Sequence, residues 1–232
     1  MNEYTKSDHL KRNINLYTWL SRLTSAGTAV FFVIALLALT RSYTASAISA
    51  ALFLGCCSWN KDFTRQREIF TSGFEGEQLL RNSLSKTLSN EYSAFFNIII
   101  DGVGEIDCLV IGPSGLYIFE AKHHTGEIVH DEDGWWRIKG RGRVARSEQL
   151  KSPSSQVLGT LNRLKKFLRK RGANVWIEPV VVFTNPAASL TVVKELNGVK
   201  VITIHQIESI FNEEYNLSLK DGQKIESLLK GI

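Results

Sequence analysis

Residues 105–122, EIDCLVIGPSGLYIFEAK, constrain the fold more than any other stretch of this chain. Two apolar runs of strand length flank a Gly-Pro-Ser-Gly turn, the pattern of an antiparallel hairpin. With Pro113-Ser114 at the tip, Ile111 faces Leu116 and, further out, Asp107 faces Glu120. Two carboxylates opposed on neighbouring strands repel each other and are costly to bury, so the arrangement makes sense with a positive charge between them. A divalent metal is the obvious candidate. Because side chains alternate along a strand, Lys122 falls on the same face as Glu120.

The flanking sequence supplies the rest of one α/β domain. Upstream, GFEGEQLLRNSLSKTL carries Leu80, Leu84 and Leu88 at helical spacing, and Glu77 lies on the same stripe three residues before Leu80. An acid on the buried side of a helix marks either a frayed first turn or a site. FFNIII reads as a strand, and EIVHDEDGWWRI extends the hairpin into a mainly antiparallel meander. Ser152 is a candidate N-cap and Pro153 a first helical residue, with Val157, Leu161, Leu164 and Leu168 forming one buried face and Gly172 closing the helix. The rest of that helix is basic. The apolar run Val175 to Phe183 suits a buried strand, parallel to a neighbour because a helical crossover precedes it. A shorter strand over Val199 to Ile204 and helices from His205 onward complete the chain.

The first sixty residues differ in kind. Leu23 to Thr40 carries no charge and is about 18 residues long, the lower end of a bilayer span. After Arg41 a second uncharged run extends from Ser42 to Trp59. The pair predicts a transmembrane helical hairpin over 23–59, after an N-terminal tail (1–22) and before a charged linker (60–69) and the soluble domain (70–232). A signal peptide is the competing reading, but the apolar stretch starts far from Met1 and no small-residue cleavage site leads into a polar start. Lys6, Lys11, Arg12 and Arg22 precede the first span and Lys61, Arg65 and Arg67 follow the second, which places both termini in the cytoplasm of a multi-pass cell-membrane protein. The small residues of TASAISAALFLG allow close packing against the first span or against another copy, leaving a homo-oligomer open.

These marks together resemble the nuclease-related domain, NERD, a branch of the PD-(D/E)XK nuclease superfamily. The resemblance covers roughly Phe70 to Phe211. It is carried by GFEGE with Glu77, by EIDCLVIGPSGLYIFEAK with Asp107, Glu120 and Lys122, by Gly126 and Trp135-Trp136, and by SPSSQ with Gln156. It implies a restriction-endonuclease-like mixed sheet flanked by helices, and metal-dependent hydrolysis of nucleic-acid phosphodiesters with Mg²⁺ or Mn²⁺. Asp107 and Glu120 would hold the hard cation through oxygen, with the Ala121 carbonyl as a further ligand. Lys122 would position the attacking water or steady the phosphorus, Glu77 would bind a second metal or orient a water, and Gln156 would align Lys122 or the substrate backbone. The alternative is a catalytically inactive nucleic-acid-binding or protein-interaction module on the same fold.

Charge patterning adds a candidate nucleic-acid surface. Lys139, Arg141, Arg143 and Arg146 alternate with glycines after the Trp135-Trp136 pair, so the loop can track phosphates while an aromatic stacks on a base, or it can be a solvated loop beside core tryptophans. DNA is favoured over RNA as the partner. The net charge of +5 suits any anionic partner and selects none. Cys56, Cys57 and Cys108 show neither metal-ligand spacing nor a disulfide framework. His123 and His124 are consecutive on a strand, point to opposite faces and do not share one ion.

Overall fold

The structure is a computed structural model that describes residues 1–5, 8–38, 42–131, 134–140, 145–192, 198–212 and 217–231. It divides into two compact units, residues 1–7 with 75–232 and residues 8–74.

The larger unit is built on a six-stranded mixed sheet in the order β1 (Asn2–Thr5), β2 (Ser93–Ile100), β3 (Gly104–Gly112), β4 (Gly115–Lys122), β8 (Glu178–Phe183) and β10 (Lys200–Thr203). Strands β2, β3 and β4 are antiparallel, with Ile111 opposite Leu116 as the turn requires. The β4–β8 and β8–β10 pairs are parallel, so β8 is the buried crossover strand its apolar run predicts. A second, four-stranded sheet contains β5 (Gly126–Asp131), β6 (Gly134–Lys139), β7 (Arg146–Leu150) and β9 (Ala188–Val192), ordered β7-β6-β5-β9.

Helices cover both faces of the main sheet. Val157, Leu161, Leu164 and Leu168 of α3 (Pro153–Arg169) and Ile225 and Leu229 of α4 (Leu219–Lys230) are buried in one core with Phe95, Leu109 and Ile118. Leu80, Leu84 and Leu88 are buried in the other with Phe96, Val110 and Phe119, beside the 3-10 helix Ile204–Asn212. Ser152 caps α3, its hydroxyl accepting from the Ser155 N–H at 3.1 Å.

The sheet alternation inverts at one place. Phe95 shares a core with Leu109, and Phe96 shares the other with Cys108, yet Ile98, Ile100 and Ile106 rejoin the first. The register is continuous from Phe96↔Cys108 to Ile98↔Ile106, so the inversion falls at Asn97, opposite Asp107. Asn97 has φ 52°, in the left-handed region that asparagine tolerates better than most non-glycine residues.

The smaller unit is an antiparallel pair formed by α1 (His9–Ala38) and the part of α2 (Tyr43–Thr87) up to Phe74. Phe32 meets Phe53, Thr24 meets Asn60, and Tyr17 meets Phe63 and Phe70, as two antiparallel helices require. Among the described residues α1 alone is long and apolar enough to cross a membrane. The second uncharged run is helical, but its many Ser, Thr, Ala and Gly residues leave α2 short of that measure. The segments that flank the apolar runs have regular structure. The predicted linker 60–69 is helical within α2, and the predicted N-terminal tail contains β1 and the first turns of α1.

Candidate active site

The site forms where the pairing of β3 with β4 ends. Asp107 and Glu120 lie one step past the last paired residues of the ladder, Cys108↔Phe119, in the same register. The Asp107 carboxylate turns onto the β4 backbone, where Oδ2 accepts from the Ala121 N–H at 2.9 Å. Glu120 is 7% exposed, and its Oε1 accepts from Lys122 Nζ at 2.7 Å, as expected of two residues on one face of a strand.

Two helices complete the cluster. Gln156 stands in the first turn of α3, where the Ser152-Pro153 start places it, and its Oε1 accepts from Lys122 Nζ at 3.1 Å. Glu77 comes from α2, which approaches the sheet closely at Gly76. A β-carbon there would lie 2.9 Å from both His123 Cβ and Thr184 Oγ1, so the glycine of GFEGE is a steric requirement. Glu77 Oε2 accepts from Asn97 Nδ2 at 2.7 Å. Asn97 is 8% exposed, and its Oδ1 is buried without a partner among the described residues.

The electrostatics are those of an acidic cluster short of positive charge. Burial raises Glu77 from near 4.5 to about 7, with Asp107 and Glu105 adding to the rise against the pull of Asn97 and Arg81. Burial also raises Glu120 to about 7, reinforced by Asp107, and the Lys122 ammonium only partly offsets it. Glu105 itself is exposed at the entrance. Burial lowers His124 to about 4, leaving it neutral, and His123 is engaged with Thr184 and Asn185.

Residues 72–184 match the family model for the nuclease-related domain. That stretch is similar to the NERD domain. Its boundaries take in every residue of the cluster, from Gly76 and Glu77 to Thr184, and its general context is the PD-(D/E)XK superfamily. No curated protein and no solved structure matches the chain.

The structure thus brings Glu77, Asp107, Glu120, Lys122 and Gln156 of this NERD-like stretch together. Of the basic loop's cations, only Lys139 and Arg146 are among the described residues. Lys139 and Arg146 pair at the ends of β6 and β7, Lys139 lies 3.7 Å from Glu148, and Arg141 and Arg143 lie outside the described residues. Trp135 is 2% exposed and donates from Nε1 to Ser154 Oγ at 3.2 Å, so it is core and not a platform for a base. Asn97 is the site residue that sequence reasoning missed. Its signal was the single polar residue inside the apolar run FFNIII.

Among the described residues no three His, Cys, Asp or Glu side chains form a ready-made metal cage. The donor set nevertheless fits a magnesium-like ion. Asp107 and Glu120 offer carboxylate oxygens, Asn97 Oδ1 is an orphaned buried acceptor, and Mg²⁺ characteristically takes one or two carboxylates and keeps its waters.

Proposed function

We propose that this chain is a membrane-anchored, cytoplasm-facing nuclease that hydrolyses nucleic-acid phosphodiesters, DNA before RNA, on a restriction-endonuclease-like core. The observation that carries the reading is the convergence of Glu77 from α2, Asp107 from β3, Glu120 and Lys122 from β4 and Gln156 from α3, with Lys122 bonded to Glu120 and Gln156 and the Asp107 charge acting on both Glu77 and Glu120, inside the stretch that matches the NERD model. Mg²⁺ or Mn²⁺ held by Asp107 and Glu120 would supply Lewis acidity and neutralise charge on the phosphate. Lys122, fixed between Glu120 and Gln156, presents its ammonium where an anionic phosphate is drawn in. Glu77, poised near neutrality, can accept a proton from water at that phosphate and is held in place by Asn97.

Three features support the membrane anchoring. Val30, Phe32, Val33, Leu36 and Leu37 of α1 and Ile48, Leu52 and Leu54 of α2 all point outward, an apolar surface that water does not favour. Trp19, Tyr43 and Trp59 are exposed near the ends of the apolar runs, where interfacial aromatics belong. Strand β1 pairs with β2, so a chain that leaves this sheet after Thr5 and returns at Ser93 would have to cross any membrane an even number of times. That parity favours two spans with both flanks on the basic, cytoplasmic side.

The test is cleavage of plasmid and single-stranded DNA by the full-length chain in detergent, with Mg²⁺, Mn²⁺ or chelator, beside Asp107→Ala and Lys122→Ala. Metal-dependent cleavage lost in both variants supports the reading, and equal cleavage by all three proteins removes it. DNA binding without any metal-dependent cleavage would favour an inactive binding module on the same fold.

A further inference from the structure

One face of α3 leads away from the cluster. Gln156, Thr160, Arg163, Phe167 and Lys170 recur every three or four residues and so share one stripe. The stripe begins at the Lys122–Gln156 bond and ends in a cavity of about 440 Å³ lined by Arg163, Lys166, Lys170 and Arg171, together with Phe167 and with Asp101 of the β2–β3 turn. Among the described residues no carboxylate lies within ion-pair distance of these four cations.

The cations are held ready. Arg163 donates from Nε to the Val103 carbonyl at 2.6 Å and from Nη2 to Thr160 Oγ1 at 3.1 Å. The Arg171 guanidinium lies 3.6 Å over the Phe167 ring. A guanidinium already fixed gives up little conformational freedom on binding an anion. Between Gln156 and Arg163 the stripe holds only Gly159 and the buried Thr160, and a β-carbon at Gly159 would lie 3.6 Å from Arg163 Nη1, so the guanidinium rests along the helix surface next to Gln156.

We propose that this stripe is a phosphate-backbone track that carries one strand of DNA to or from the cluster. The inference rests on the nuclease reading for the identity of the ligand. From Gln156 to Lys170 the helix rises about 21 Å, the length of roughly six stacked nucleotides of one strand. Continuity with Lys122 favours nucleic acid over an anionic lipid surface, which would not need to lead into the cluster.

The test is DNA affinity of the full-length chain in detergent, in an Asp107→Ala background that suppresses turnover, using a fluorescent duplex and a salt series. The track variant combines Lys166→Gln, Lys170→Gln and Arg171→Gln. A control variant removes the same charge elsewhere with Lys86→Gln, Lys165→Gln and Arg169→Gln. The track variant should weaken binding tenfold or more and flatten the log–log salt slope by about 3, at roughly 0.9 for each phosphate that is no longer neutralised. The control should change both far less, and thermal unfolding of both variants should match the parent. Equal effects in the two variants, parental binding by the track variant, or no binding by the parent would each overturn the proposal. So would a track variant that keeps its DNA affinity but loses preference for phosphatidylglycerol vesicles over phosphatidylcholine vesicles. A chain that binds through the track yet never cleaves would leave this inference standing and remove the enzymatic one.

Discussion

Asn97 Nδ2 donates to Glu77 Oε2 at 2.7 Å from a backbone in the left-handed region, and it does so opposite Asp107, at the step where the sheet alternation inverts. One residue therefore turns the strand's alternation over and positions an acid. The two roles separate by substitution. Asn97→Gly keeps access to φ 52° and loses the amide, whereas Asn97→Ala loses both. The alanine variant should be less stable than the glycine variant by about 1 kcal/mol in thermal unfolding, because a β-carbon is disfavoured there. Both should lose cleavage to a similar degree, since Glu77 is unanchored in each. Alanine as stable as glycine would show that the backbone conformation is not specified at this residue.

At Gly76, α2 approaches His123, just past the end of β4, too closely for a β-carbon. Gly76→Ala would place a methyl group 2.9 Å from His123 Cβ, an atom fixed to the backbone and unable to swing aside. The helix must then retreat. We expect a loss of about 1–3 kcal/mol in thermal stability, the range for overpacking a tight contact, together with a fall in cleavage as Glu77 moves away. Gly73 lies on the same helix, and a methyl group added there would meet only Leu10, at 3.9 Å, so it should accept alanine without loss.

The hairpin register was legible in the sequence because Gly-Pro-Ser-Gly leaves one economical pairing, and the Ser152-Pro153 start fixed where Gln156 would stand. Asn97 was not, since propensity describes a strand and says nothing of one residue that turns its alternation over. Strand β1 was hidden for another reason: NEYT is short and polar, and its partner lies some ninety residues away. The charged linker expected over 60–69 is helical. Lys, Arg, Gln and Glu are good helix formers, and with no glycine or proline from Asn60 to Ser72 nothing there ends α2. RSEQL of β7 escaped because an exposed edge strand shows no apolar alternation.

Trp135 and Trp136 are neighbours with different fates. Trp135 packs against Phe183 and His130 and bonds Ser154, while Trp136 points to the other face and is half-buried. Trp135→Ala should cost about 3–5 kcal/mol, the range for emptying a large core site. Trp136→Ala should cost much less. Thermal unfolding of the two variants is the measurement, and a larger loss for Trp136 would contradict the packing.

The pairing of β1 with β2 makes a prediction about topology. Reporters fused before Met1 and after Ile232 should report the same compartment, and that compartment should be the cytoplasm. Opposite compartments would require an odd number of crossings and are incompatible with Asn2–Thr5 lying beside Ser93–Phe96.

Glu77 and Glu120 give the site a pH dependence whose sign is fixed. Each has its pKa raised from near 4.5 to about 7, so between those values the folded chain binds more protons than the unfolded one. Stability of the metal-free chain is therefore highest at the acidic end of the window and falls as pH rises towards 7 and just above. A divalent cation reverses the preference, since it takes the ionised carboxylates and displaces their protons. Mg²⁺ or Mn²⁺ should bind at least about tenfold more tightly at about pH 8 than at about pH 6, with proton release on binding, as expected for displacing a proton from a group of pKa near 7. Glu120→Gln should weaken binding at both values and reduce the pH dependence. Calorimetry in two buffers of different ionisation enthalpy measures both quantities, and affinity that does not vary with pH would mean that Glu120 does not hold the ion.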